Sequence, residues 1–263
     1  MISILLSCYK SNFDYLKEQI DSIINQTEKD WELLIHPDNA YGSENDKIKA
    51  FVESYKDSRI RIVGSGHYGY AKAYNLLLKE AKGEYVCFCD HDDIWVENKF
   101  EIEKGYLDNY PECDCVFSFL HWFGEKDKIE SFEIEDWEIS DELLFWQPVK
   151  QPSTMFRKSS FGEFDAPFDE AADFWFWSKH HKNKYHLIPY VLVHYRRHPG
   201  EATKDKTAFR ENSAKVIQRN LSMEGYNFTL NTCKALDRYS NDYDPELKKV
   251  VQAVIRRDSD IFD

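Results

Sequence analysis

Three carboxylates crowd into four residues at Asp90-His91-Asp92-Asp93. They follow Tyr85-Val86-Cys87-Phe88-Cys89, a short apolar run rich in β-forming residues, which itself follows Lys82-Gly83-Glu84. Such a run reads as a buried strand. Like charges at the end of a buried strand cannot all ionise in a dry site without a compensating cation. A hard divalent ion on carboxylate oxygens answers that need, and Mg²⁺ or Mn²⁺ brings phosphate oxygens with it. Ligands of open α/β sheets also bind at the carboxyl ends of strands. The plainer reading is a solvated acidic turn, and the surrounding elements decide between the two.

Those elements alternate. Residues 2–8 and 31–35 read as strands, and 14–25 has helical spacing through Tyr15, Leu16, Ile20, Ile23 and Ile24. Residues 46–55 read as a helix and 60–63 as a third strand. Gly64, Gly66 and Gly69 then make a flexible loop before a helix over 71–81. Strands alternating with helices to about residue 110 predict a Rossmann-like α/β layer with largely parallel strands. Further on, 115–119, 154–156 and 185–195 are strand-like. Residues 123–136 are polar and fit a hairpin or a loop, and 171–180 forms a helix dense in aromatics. From 207 to 257 the pattern is helical and amphipathic, with Asp244-Pro245-Glu246 marking a helix start.

Composition narrows the function. The 263 residues carry 34 Lys+Arg against 47 Asp+Glu, a net charge of −13. That opposes nonspecific nucleic-acid binding and global attraction to an anionic membrane. The pair Arg256-Arg257 is too little to claim membrane docking. No apolar run reaches the roughly 20 residues of a membrane span, and Met1 leads straight into a strand rather than a signal peptide. The expected setting is the cytoplasm. Cys87/Cys89 and Cys113/Cys115 are spaced Cys-x-Cys, and in the strand-like run this points Cys87 and Cys89 to one face, toward the core. A Cys₄ zinc site is the alternative, without the usual spacing.

The order of motifs resembles family 2 inverting glycosyltransferases with the GT-A fold, of the bacterial surface-polysaccharide, rhamnosyltransferase-like kind. The resemblance rests on residues 4–10, on 16–27 ending Asn25-Gln26-Thr27, on Trp31-Glu32-Leu33-Leu34-Ile35 and on Gly83 through Asp93. It covers about residues 1–200. It implies an α/β sandwich with a mixed central sheet over 1–205, split into a nucleotide-sugar half (1–110) and an acceptor half (111–205). A helical extension over 206–263 lies outside the resemblance.

The resemblance also implies roles. Ser7 and Tyr9, at the exit of the first strand, would hold the nucleotide base and ribose. Asp38 would accept from a pyrimidine N3–H, which uracil and thymine present; the family's usual Asp pair is here Pro37-Asp38. An expected Arg in the Ala73-Tyr74-Asn75 segment is Tyr74, and Lys72 is the substitute cation. Asp92 would ligate the metal on the donor diphosphate, with Asp90 beside it on the nucleotide sugar. In His194-Tyr195-Arg196-Arg197-His198, Arg196 would face the diphosphate and His198 the metal or a phosphate. Asp173 would be the general base, with Asp169 and Glu170 as fallbacks, at a helix start that equally suits a helix cap. Phe174, Trp175 and Trp177 would wall it from water. Gln151-Pro152-Ser153-Thr154 would neighbour the acceptor pocket.

The implied activity is transfer of a sugar from a UDP- or dTDP-linked donor to a hydroxyl of a glycan acceptor, free or lipid-linked, with at most peripheral membrane contact. Two rivals stand beside it. A non-catalytic nucleotide-sugar binder or scaffold would explain Pro37, Tyr74 and Ala172, which depart from the family pattern. A sugar-phosphate nucleotidyltransferase would need a Gly-rich basic loop after the first strand, and residues 7–12 contain no glycine.

Overall fold

The structure, a computed structural model, describes residues 1–200 and 206–259. The chain divides into two compact units that interleave along the sequence. One takes in Met1–Asp136, Val149–Asp165 and Asn183–Pro199; the other takes in Trp137–Pro148, Ala166–Lys182 and the described residues from Gly200 onward. The boundary expected at residue 205 lies outside the described residues.

The first unit is built on a sheet. Strand β1 (Ile2–Cys8) pairs in parallel with β2 (Trp31–Pro37) on one side and β4 (Tyr85–Cys89) on the other; β3 (Ile60–Ile62) extends the parallel set beyond β2. These strands are nearly continuous apolar runs because helices cover both faces. Helix α1 (Phe13–Ile24) starts at Asn12, whose side chain accepts the backbone N–H groups of Asp14 and Tyr15. It buries Leu16, Ile20 and Ile23 in the main core. Helices α2 (Gly42–Glu53) and α3 (Tyr70–Glu80) complete the alternation.

In this half, β2 and α2 depart furthest from their expected bounds. Strand β2 runs through His36 to Pro37, because β1 offers a partner as far as Cys8. Proline is tolerated there at the strand's last position. Helix α2 begins four residues before the expected start.

Beyond β4 the sheet is no longer largely parallel. The strand order is β3-β2-β1-β4-β8-β6-β9-β5, where β5 is Ile94–Trp95, β6 Cys115–Gly124, β8 Met155–Arg157 and β9 Tyr185–Arg197. Strand β8 runs antiparallel to β4 and β6, β5 antiparallel to β9, and β6 parallel to β9. Strand β7 (Lys128–Glu130) folds back on β6 as a hairpin, the first of the two readings for 123–136. The β6–β9 register slips opposite Pro189 and Tyr190, a bulge where a proline costs no ladder bond. Helix α4 (Lys99–Asn109) packs on this half through Phe100 and Leu107.

Gly83 explains why the approach to β4 needs glycine. A Cβ there would lie 2.6 Å from the Ser3 nitrogen and 2.8 Å from the Met1 carbonyl oxygen. Its N–H donates to Ser3 Oγ at 2.7 Å, and that hydroxyl donates to Glu32 Oε1 at 2.7 Å, tying β4's entry to β1 and β2. The six cysteines are buried free thiols. Burial pushes Cys8 and Cys87 up to about 12, so they remain unreactive thiols in the core. The alternative of a Cys₄ zinc site is not formed: among the described residues no three His, Cys, Asp or Glu side chains form a metal cage.

The second unit is helical. It contains most of α5 (Asp136–Glu142), with α6 (Ala172–Lys179), α7 (Lys206–Met223), α8 (Leu230–Leu236) and α9 (Pro245–Ser259). Asn220 of α7 donates to the carbonyls of Leu143 and Leu144, and Lys248 of α9 pairs with Glu142 at 2.6 Å. The helical unit thus draws on 137–148 and 166–182 as well as the C-terminal segment. Among the described residues, no helix is long and apolar enough to cross a membrane.

Candidate active site

Parallel pairing of β2, β1 and β4 brings their carboxyl ends side by side, and the loops that leave them carry polar groups. Ser7 is the penultimate residue of β1 and lies opposite His36 in register; Tyr9 follows the strand and is exposed. The Tyr9 ring stacks on His67 at 5.3 Å, and the His91 ring bonds the Tyr9 carbonyl at 3.1 Å. Asp38 leaves β2 and is buried. Its N–H donates to the Cys8 carbonyl, and its Oδ1 accepts the backbone N–H of Tyr68. Asp90, Asp92 and Asp93 leave β4.

The last three do not stand alike. Asp93 is fully buried; its Oδ1 accepts the Arg196 backbone N–H at 2.9 Å, while Oδ2 has no hydrogen-bond partner among the described residues. Burial first, and then the charges of Asp92 and Asp90, push the Asp93 carboxyl well above the usual range. Asp92 is partly exposed, and its Oδ2 lies 2.9 Å from Nε2 of His198. Two chain segments 106 residues apart therefore meet in one carboxylate–imidazole pair.

The residues present fit a hard divalent cation. An oxygen of the buried Asp93 carboxyl lacks a hydrogen-bond partner among the described residues, and the Asp92–His198 pair beside it offers an oxygen and a nitrogen to one ion. With no cage of three side chains among the described residues, the remaining positions would fall to ligand oxygens, as is usual for ions held with phosphates.

Arg196 is bonded to protein groups. Its Nε donates to the Asp92 carbonyl at 2.7 Å and its Nη2 pairs with Glu18 of α1. The guanidinium lies 4.2 Å from the Tyr15 ring centroid and 4.4 Å from that of Phe123. Arg196 is thus committed to the framework beneath Asp92. Tyr15 also packs edge-on against the His198 ring at 5.3 Å. Glu18 and Tyr15 escaped sequence reading because Arg196 lies far off in the chain; only the exposed side of α1 facing the site would have flagged them.

The other expected residues divide. Lys72 is exposed in the first turn of α3, just after the glycine loop. Tyr74, where an Arg was expected, is buried and donates to the Cys89 carbonyl at 3.2 Å, so it is a core residue under β4. Asn75 holds the backbone N–H and carbonyl of Phe164. Gln151-Pro152-Ser153 forms a buried single turn of 3₁₀-helix, with Thr154 after it.

Asp173 belongs to the helical unit. It is the second residue of α6 rather than its cap: Ala171 holds the cap position with φ +64°, and Asp173 Oδ1 accepts the Phe174 N–H at 2.9 Å. The expected aromatic wall is mostly core. Phe174 and Trp177 are buried within that unit, and Trp175 alone of the three is half-buried, under the Arg219 guanidinium at 4.3 Å. Asp169 and Glu170 are exposed in the preceding turn.

Comparison with known proteins identifies the architecture. The profile described as glycosyl transferase family 2 matches residues 3–170, well over half the chain. The chain belongs to glycosyl transferase family 2. Among curated relatives, an uncharacterized glycosyltransferase of Methanocaldococcus jannaschii is 28% identical over 207 residues, covering 74% of this chain and 70% of that one. The Escherichia coli UDP-Glc:alpha-D-GlcNAc-diphosphoundecaprenol beta-1,3-glucosyltransferase WfgD is 36% identical over 108 residues, 41% of each chain. Among solved structures, S. aureus TarS 1-349 in complex with UDP-GlcNAc superposes with a TM-score of 0.64 over 89% of this chain and 70% of that one, at 16% identity. A Pyrobaculum calidifontis mannosyltransferase in complex with GDP-Man and Mn²⁺ gives 0.58 over 87% and 65%, at 16% identity. The fold is GT-A, and this family 2 member is a glycosyltransferase.

Proposed function

We propose that this glycosyltransferase is a metal-dependent, inverting enzyme that moves a sugar from a UDP- or dTDP-linked donor to a hydroxyl of a glycan acceptor in surface-polysaccharide synthesis. The observation that carries the metal and donor site is the Asp92–His198 pair at the carboxyl end of β4, beside Asp90 and the buried Asp93. The acceptor class is supported by the E. coli relative, whose name gives a diphosphoundecaprenol-linked acceptor.

On this reading Asp92 and His198 would hold Mn²⁺ or Mg²⁺, which when bound supplies positive charge to the departing diphosphate. Ser7 and Tyr9 receive ribose and base, and the Asp38 carboxylate accepts the N3–H of uracil or thymine. Asp90 bonds the nucleotide sugar. Lys72 supplies a mobile ammonium to the phosphates, while Arg196 acts through the Asp92 carbonyl that it holds. Asp173 takes the proton of the acceptor hydroxyl as its oxygen attacks the anomeric carbon and the nucleoside diphosphate leaves from the opposite face.

One observation favours a second reading, a donor-binding member without turnover. Tyr74 stands where an arginine was expected, and Arg196 is engaged by Glu18, so of two cations expected at the diphosphate one is absent and the other serves the framework. A transfer assay with UDP-, dTDP-, GDP- and CMP-sugars, Mn²⁺ and a lipid-diphosphate sugar acceptor separates the two. Metal-dependent product of inverted anomeric configuration supports the enzyme. Tight donor binding without product supports the binder.

A further inference from the structure

His36 departs from the ordinary in a way that its place in β2 does not explain. The ring is wholly buried. Its Nδ1 lies 2.8 Å from the Val63 carbonyl oxygen and its Nε2 lies 3.0 Å from the Gly66 carbonyl oxygen. A backbone carbonyl has no proton to donate. Neutral imidazole has one N–H and one lone pair, so it would set that lone pair against a carbonyl lone pair at one end. The doubly protonated ring alone satisfies both contacts.

The charge has a partner. Asp38 Oδ1 lies 3.6 Å from His36 Nε2, and Asp38 is itself buried. The titratable groups facing this pair are His67, whose Nδ1 is 3.6 Å from the same oxygen, and Tyr68, whose ring stacks on His36 at 4.9 Å. Helix α3 adds the apolar Leu76. The two carbonyls belong to the loop that follows β3, where Gly64 and Gly66 take φ +65° and +138°. A Cβ on Gly64 would meet Leu76 at 2.9 Å and His36 Nδ1 at 3.4 Å, so glycine is what lets the loop close on the ring.

We propose that His36 is a buried imidazolium that positions Asp38 and the 64–68 loop for the donor base. The role at the base rests on the reading of Asp38 given above; the charge state does not. Burial opposes the charge, but Asp38 and the carbonyls of Val63 and Gly66 outweigh it and raise the pKa. Donor affinity therefore falls as pH rises through the folded-state value, when the bond to one carbonyl is lost and Asp38 loses its counter-ion.

Nitrogen-15 NMR of the histidine rings in the full chain from pH 6 to 9.5, paired with calorimetry of UDP binding over the same range, tests this. The expected result is a His36 ring protonated on both nitrogens at pH 7.5. UDP affinity should fall roughly tenfold as that proton is lost, the scale of one hydrogen bond to a charged group. His36→Gln should bind UDP weakly with a flat profile. A neutral His36 ring at pH 7 would overturn the inference whatever UDP does. A charged ring with pH-independent UDP binding, in a protein whose Asp38→Asn variant binds UDP weakly, would overturn the positioning role. Unchanged UDP affinity in Asp38→Asn would instead remove Asp38 from the donor site, and the positioning role with it.

Discussion

Glu18, on the solvent side of α1, grips the guanidinium of Arg196 from 178 residues away, and that guanidinium donates to the carbonyl of Asp92. The link passes from a helix surface to the backbone that aims the Asp92 carboxylate. Removing the Glu18 charge should leave the core intact, since its side chain is half exposed. Glu18→Gln is expected to weaken Mn²⁺-dependent UDP binding by roughly tenfold, while shifting Tm by only about 2–4 °C. Calorimetry and thermal denaturation on the same samples read both. A large loss of Tm with normal UDP affinity would make Glu18 a stability residue only.

The Lys99–Glu103 pair on α4 predicts a stability change with pH. Both side chains are fully buried, 2.5 Å apart, with the Lys99 ammonium 4.6 Å from the Trp95 ring centroid. Burial raises Glu103 to about 7, against the opposing pull of Lys99. A carboxyl whose folded pKa exceeds its unfolded value binds more protons when folded. Its contribution is therefore fullest at low pH and falls as pH rises from about 4.5 to about 7. Lys99→Met alone strands a buried carboxylate and should cost about 3–5 kcal/mol; the double change Lys99→Met/Glu103→Leu should be near neutral and lose the pH slope. Urea titrations at pH 5 and 8 measure this, and an unchanged slope in the double variant would refute it.

Asp173→Asn tests the proposed base. Asparagine keeps the side chain's size and an oxygen for the Phe174 N–H, so α6 should survive. It cannot take a proton. Donor affinity is expected to remain near wild type while kcat falls by roughly a hundredfold or more. Near-normal kcat would reduce Asp173 to a helix-start residue and move attention to Asp169 and Glu170.

The parallel half of the fold was legible because β1, β2 and β4 are nearly continuous apolar runs that a sheet covered on both faces buries. The reversal beyond β4 was not, because β8 has three residues and β5 two, too short for any periodicity to register. The acids after β4 were legible as a cluster with an electrostatic debt. What each acid bonds was not: Asp93 turns inward to the Arg196 backbone and Asp92 outward to His198, a choice made by β9. The hold of Glu18 on Arg196 was not legible, because nothing near Arg196 in sequence reveals Glu18. His36-Pro37 read as a defect in the usual acidic pair, whereas the ring proves to pin the glycine loop.

The proposed metal site on Asp92 and His198 requires that the ion strengthen binding of the donor diphosphate. Calorimetry of UDP with and without Mn²⁺, on wild type and Asp92→Ala, tests it most directly. The wild type should bind UDP far more tightly with Mn²⁺ than without. Asp92→Ala, with an unchanged circular dichroism spectrum, should lose that difference. Equal Mn²⁺-dependent affinity in the two proteins would contradict the assignment and place the ion, if any, on other residues.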